Sequence, residues 1–194
     1  MTTLTITGFA GSFNAPSRSR ALVEAAVDLA TTRFGAAGHV FDLADLGPSL
    51  GHARHLGDLE PEALAHVTAL IRADAMVVAS PVHKGSYAGL FKHLFDLLDP
   101  DMLAGKPVLL AATGGGDRHA LVIEHQLRPL LAFFEAQALA TGVYVAQREF
   151  VGGQLVDDAA RLRLVRAVNQ FAPFLAPYTI PQPEAEPAPL LQAF

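Results

Sequence analysis

The sequence predicts an α/β domain built on one parallel sheet with helices packed on both faces. Three observations carry that expectation. Short apolar or β-branched runs alternate with longer stretches of helical period, which is the pattern of successive βαβ units. The chain has 194 residues, the length of one ordinary domain, and is 51% hydrophobic with only 17% charged residues, so it can bury a large core and sits far from the disordered class. The third run reads as wholly apolar, as a strand covered on both faces must.

Each element follows from its local pattern. Leu4–Ala10 reads as the first strand and Ser19–Phe34 as a helix whose Leu22, Val23, Ala26, Val27 and Ala30 share one face. His39–Leu43 is the second strand. Pro61–Ala73 opens with a proline in its first turn and carries Leu64, Val67, Ala69 and Leu70 as its stripe. Ala75–Ala79 is the third strand, Ala88–Leu98 the third helix and Val108–Ala112 the fourth strand. A long fourth helix spans His119–Gln137, followed by a fifth strand at Thr141–Ala146 and a closing helix at Asp157–Leu175. Pro129 falls inside the fourth helix, where it removes a donor from the carbonyl of His125; the chain must kink, adopt a π-type bulge or break at Arg128. Five right-handed units allow two sheet orders, the flavodoxin-like 2-1-3-4-5 or half of a dinucleotide-binding sheet, and both place ligands at the carboxyl ends of strands one, three and four. The domain is expected over residues 1–176. Residues 177–194 hold five prolines with Glu184 and Glu186 and read as an extended tail whose apolar end, residues 190–194, suits docking on a partner subunit.

Composition excludes several classes of function. A net charge of −5 and a pI near 5.9 provide no broad basic field for nucleic acid or an anionic membrane, so a bound phosphate needs a local site. With no cysteine there is no disulfide framework, thiol nucleophile, iron–sulfur cluster or cysteine zinc site. The eight histidines form no His-Glu-x-x-His motif or other recognisable ligand set, and no metal is expected. A Gly-x-Ser-x-Gly elbow is also lacking, which argues against hydrolase chemistry. The N-terminus lacks a signal-peptide pattern and no apolar run reaches about 18 residues; the expected location is the cytoplasm. Redox chemistry on such a chain requires a borrowed cofactor.

Three loops at the predicted ligand edge carry the chemistry. After the first strand, residues 11–20 hold Ser12, Ser17, Arg18 and Ser19 directly before a helix. Hydroxyls beside the free N–H groups and positive end of a helix suit a single phosphate dianion, while a plain serine N-cap explains only one of the three serines. This loop matches neither the dinucleotide Gly-x-Gly-x-x-Gly nor the P-loop pattern, and a terminal phosphate, as in FMN, is the better fit. After the third strand, Pro81, Val82, His83, Lys84, Gly85 and Ser86 form a turn suited to flank a flat ring or an anion, or else an ordinary βα connection. After the fourth strand, Thr113, Gly114, Gly115 and Gly116 combine a hydroxyl with three successive glycines; such a run calls for positive φ or close approach of a ligand to the main chain, the alternative being a turn capped by Asp117.

These three loops, together with Gly89-Leu90-Phe91-Lys92-His93 and the helix His119 to Leu130, resemble the NAD(P)H-dependent FMN reductase family over residues 2–175. The fourth helix is similar to that of the branch serving alkanesulfonate and methanesulfonate monooxygenases. The resemblance implies a flavodoxin-like fold and hydride transfer from NADPH or NADH to FMN. Reduced flavin would then pass to a two-component monooxygenase, and dimers or tetramers would form through helices such as the fourth. It assigns the FMN phosphate to Ser12, Ser17, Arg18 and Ser19, the ring and ribityl flank to residues 81–86 and the pyrimidine edge to residues 113–116, with no catalytic side chain. Its proline-turn motif often carries a tyrosine where this chain has His83, and His125 stands where related reductases bear an interface aromatic. A flavin-retaining quinone or azo reductase and a flavodoxin-like electron carrier are the alternatives on the same scaffold.

Overall fold

Four strands, β1 (Thr5–Ala10), β2 (Ala37–Asp42), β3 (Ala75–Pro81) and β4 (Pro107–Gly114), run parallel in the order β2-β1-β3-β4, in a computed structural model that describes residues 3–175. The fifth position is filled in two pieces. β5 (Gln137–Ala138) pairs with the start of β4, and β6 (Val143–Ala146) pairs with its end. The flavodoxin-like order is therefore the one adopted. The tail expected over residues 177–194 lies outside the described residues.

Helices cover both faces as the apolar stripes require. On one face α1 (Arg18–Phe34) and α5 (Asp158–Asn169) pack Leu22, Val23, Val27, Leu164 and Val168 against Ile6, Val77 and Leu109. On the other, α2 (Pro61–Arg72), α3 (Gly89–Asp96) and α4 (Arg128–Phe133) meet Phe9, Phe41, Val78 and Leu110. Phe9 lies at the centre of that second layer, stacked on Phe91 with ring centroids 5.4 Å apart and on Phe41 at 5.0 Å. Alternating inward and outward positions along a strand explain why Phe9 and Ala10 enter opposite cores. Among the described residues no helix is long and apolar enough to cross a membrane.

Helix α1 starts where the serine loop ends because Ser17 has extended geometry and its Oγ accepts from Arg20 N–H at 3.1 Å. It stops at Gly35, whose left-handed φ of 65° lets its N–H reach Thr31 O. The helix sits so close to β1 that a Cβ on Gly8 would overlap Val23 Cγ1.

Three sequence expectations need correction. The fourth helix is not continuous over His119–Gln137. A short 3₁₀ turn at Asp117–His119 is followed by a π-helix at Ile123–Leu127, in which the Arg128 N–H reaches back five residues to Ile123 O. The α4 helix then begins at Arg128 with Pro129 in its first turn, where a missing N–H costs nothing. The expected bulge and the expected break both occur, and the chain turns into β5 by Gln137. The fifth strand begins at Val143 rather than Thr141, because after the Leu139 N–H bonds Val108 O at 2.9 Å the chain leaves the ladder until Val143, and side chains take up several of its backbone groups. Arg128 Nη1 donates to Leu139 O at 3.1 Å, Arg163 Nε to Gly142 O at 2.7 Å, and Thr141 N–H donates to Gln170 Oε1 at 2.9 Å. Finally, the closing helix divides into α5 and α6 (Ala172–Leu175), since Pro173 cannot supply the N–H that a continuous helix would need.

An antiparallel hairpin, β7 (Phe150–Val151) and β8 (Gln154–Leu155), was not anticipated. Gly152 and Gly153 turn it with φ values of 58° and 84°, the backbone a two-residue primed turn demands.

His39 on β2 and His66 on α2 face one another, Nε2 to Nδ1 at 2.9 Å, with stacked rings. Burial, and then the neighbouring His66, hold His39 below its ordinary value of 6.5. As pH falls through 6.5, the unfolded chain takes up a proton that the folded chain resists, so stability falls with it. Two outcomes are expected. Gly8→Ala should lower the unfolding free energy by about 1–3 kcal/mol through overpacking against α1, measured by urea denaturation. Between about pH 7.5 and about pH 5.5, the urea midpoint of the natural protein should drop further than that of His39→Gln.

Candidate active site

The carboxyl ends of β1, β3 and β4 open onto a cavity of about 490 Å³, within the usual range for small-molecule sites. Ser12, Asn14, Pro16, Ser17, Arg18 and Ser19 form one wall. Pro81 from the end of β3, Thr113 from the end of β4, and Gln147, Arg148, Phe150 and Gly153 complete the lining. Six of the residues expected from the sequence therefore share one cavity: Ser12, Ser17, Arg18, Ser19, Pro81 and Thr113.

The serines do different work there. Ser17 caps α1 through its acceptor lone pair, which leaves its hydroxyl hydrogen for a ligand. The buried Ser19 hydroxyl is 2.7 Å from Thr113 Oγ1, linking the first helix to the end of β4. Ser12, also buried, accepts from Asn14 N–H at 3.3 Å. The N–H groups of Arg18 and Ser19, which the helix itself cannot use, belong to the same wall.

Val82, His83, Lys84, Gly85 and Ser86 lie beside the cavity rather than in its lining. They form a tight turn in which His83 and Ser86 exchange backbone hydrogen bonds of 2.8 and 3.1 Å. Lys84 and Gly85, at its tip, have φ values of 51° and 88°. The Ser86 hydroxyl donates to Gln126 Oε1 at 3.0 Å, tying this turn to the π-helix. The Val82 N–H donates to Thr113 O at 2.7 Å, so the β3 and β4 edges are locked together. His125, exposed on the π-helix, lies outside the cavity and beside a separate surface hollow with Tyr87, Gln126 and Pro129.

Gly114, Gly115 and Gly116 also lie outside the lining, and none has positive φ. Gly114 is required by close approach of a different kind than expected: a Cβ there would overlap the Tyr144 hydroxyl. That hydroxyl donates to Gly116 O at 2.6 Å. Burial, with Asp117 and Glu149 nearby, holds the Tyr144 phenol above its usual range, so it stays protonated and keeps donating. A Cβ on Gly115 or Gly116 would meet open space, which leaves their backbone accessible from the strand edge.

Arg20, by contrast, points its charge away from ligand duty. It meets Asp42 at 2.9 Å, Asp45 at 2.6 Å and Glu24 at 2.9 Å, and its hydrogen bond to Asp42 is the largest cause of a pKa raised still further above the ordinary arginine value. Arg18 is the arginine of this loop that lines the cavity. No cluster of His, Cys, Asp or Glu suited to a metal occurs among the described residues.

The last four lining residues are what sequence reasoning missed. Gln147, Arg148, Phe150 and Gly153 come from the turn after β6 and from the β7–β8 hairpin. The Gly152-Gly153 pair flanked by Phe150-Val151 and Gln154-Leu155 was the available signal for that hairpin.

The profile of the NADPH-dependent FMN reductase family matches residues 4–150. The chain is 39% identical over 178 residues to the NADH-dependent FMN reductase SfnF of Pseudomonas fluorescens (strain Pf0-1), covering 92% of this chain and 95% of the relative. It is 42% identical over 175 residues to the NADH-dependent FMN reductase SfnE of Pseudomonas putida, covering 88% and 94%. The crystal structure of the NADH:FMN oxidoreductase EMOB in its apo form superposes with a TM-score of 0.80 at 31% identity, covering 90% of this chain and 91% of that one. Agreement of sequence and topology along nearly the whole length admits one assignment, and this chain belongs to the NADPH-dependent FMN reductase family.

Proposed function

We propose that this protein holds FMN across the ends of β1, β3 and β4, with its phosphate on the serine turn, and reduces it with NADH or NADPH, the two nicotinamide donors named for its relatives. One observation carries the placement: the cavity brings the hydroxyls of Ser12 and Ser17, the Arg18 side chain and the mouth of α1 to one wall, with Pro81 and Thr113 in the same lining. That donor set fits a phosphate dianion, because helix-end N–H groups, hydroxyls and a guanidinium all donate and no carboxylate lines the wall.

When bound, FMN supplies the hydride-accepting ring nitrogen, and transfer between stacked rings needs no acid or base from the protein. The chain's contribution is position. The Ser19–Thr113 bond fixes the distance between the phosphate wall and the β4 edge, the Val82–Thr113 bond fixes the β3 turn against β4, and Tyr144 holds the Gly116 backbone. Residues 81–86 then flank the ring and ribityl chain, and the backbone of residues 113–116 meets the pyrimidine edge. Such prior ordering of the walls is where a reaction governed by orientation gains its rate.

The product reading is that reduced flavin leaves for a two-component monooxygenase in the cytoplasm. A homo-oligomer is part of the same reading, supported by Leu121 and Phe133, whose 63% and 68% exposure leaves large apolar side chains beside the π-helix and α4.

Three outcomes follow. Arg18→Gln and Ser17→Ala should each weaken FMN about tenfold in a fluorescence titration while riboflavin affinity holds, and NADH oxidation by the dialysed natural protein should require added FMN. Equal loss for both flavins would remove the phosphate from this wall. Phe133→Ser should shift the mass measured by light scattering toward the monomer; an unchanged mass would move the interface elsewhere.

A further inference from the structure

The part of the cavity lining that follows β6 carries a cation of its own. Arg148 lies on the turn between β6 and β7, and the carboxylate of Glu149 accepts the Ala146 N–H to close that turn. The adjoining hairpin seats on the serine turn, since a Cβ on Gly153 would stand in ordinary contact, 3.7 Å, with Pro16 Cβ. Arg148 thus shares the cavity with Arg18 but comes from a different element. Its Nη2 lies 2.8 Å from Asp117 Oδ1, in the loop that follows the glycine triplet.

Two features of that ion pair matter. Both side chains are largely exposed, 62% for Arg148 and 72% for Asp117, so the pair contributes little and exchanges partners readily. A phosphate dianion offers the guanidinium a doubly charged acceptor, whereas the exposed Asp117 carboxylate is singly charged and meets it at Nη2.

We propose that Arg148 reads the flavin phosphate as a second cation beside Arg18, brought by the β6–β7 turn, and that Asp117 competes with the phosphate for it. This deepens, and rests on, the reading of the cavity as the flavin-phosphate site. Arg148 is accordingly a specificity residue for phosphorylated over unphosphorylated flavin. Asp117 sets how strongly that preference is expressed, and screening by salt should erode Arg148's share of it.

The test is a titration of FMN and of riboflavin, followed by flavin fluorescence, on the natural protein, Arg148→Gln, Arg148→Lys, Asp117→Asn and Arg18→Gln. Arg148→Gln should weaken FMN about tenfold and leave riboflavin unchanged, Arg148→Lys should recover part of the loss, and Asp117→Asn should tighten FMN several-fold without affecting riboflavin. An Arg148→Gln protein that keeps its FMN preference while Arg18→Gln loses it would overturn the role of Arg148 and leave the cavity reading intact. If neither arginine affects the preference, both readings fall. Parallel losses for the two flavins in Arg148→Gln, or weaker FMN binding in Asp117→Asn, would also sink the proposal.

Discussion

The buried hydrogen bond between the Ser19 and Thr113 hydroxyls is the constraint on which the candidate site depends. It joins the first turn of α1 to the last residues of β4, two groups 94 residues apart in the chain. With the Gly8 contact pressing α1 onto β1, it decides where the helix mouth stands relative to the strand edges. A helix end supplies donors in a fixed direction, so a shift of α1 by an ångström would carry its N–H groups and the Ser17 hydroxyl away from any ligand lying over β3 and β4. The surrounding bonds, Val82 to Thr113 and Tyr144 to Gly116, extend the same restraint to the neighbouring turns.

Much of this was legible in the residues. Parallel strands buried on both faces read as apolar runs in β3 and β4 and as a β-branched run in β1, so all three are legible close to their true limits, and helix signals such as Ser17 and Pro61 act within a single turn. The sheet order followed from handedness together with the family resemblance. The serine turn was legible because three hydroxyl residues before a helix exceed what capping needs. The rest depended on tertiary context. Gly114 looks like a ligand-facing glycine, but its demand comes from Tyr144, which is distant in sequence until β6 pairs with β4. Arg18 and Arg20 are indistinguishable as letters; only the fold shows that Asp42 and Asp45 occupy the second.

The fourth connection shows how a local rule can be satisfied in two ways at once. Proline's missing donor permits either a widened turn ahead of it or a fresh helix start around it, and here the π-helix and the start of α4 adjoin. The wide turn exposes His125 on the surface and brings Gln126 within reach of Ser86. In this way the turn after β3 is braced from outside the cavity, by a residue that owes its direction to the irregular helix.

The divided fifth strand has a consequence beyond the site. An uninterrupted border strand would present a row of vacant backbone donors and acceptors, the template on which foreign strands add and aggregates nucleate. Here the border is broken at residues 140–142, and Arg128, Arg163 and Gln170 already occupy backbone groups of Leu139, Gly142 and Thr141. The chain is thereby protected along this side against polymerising through its own sheet.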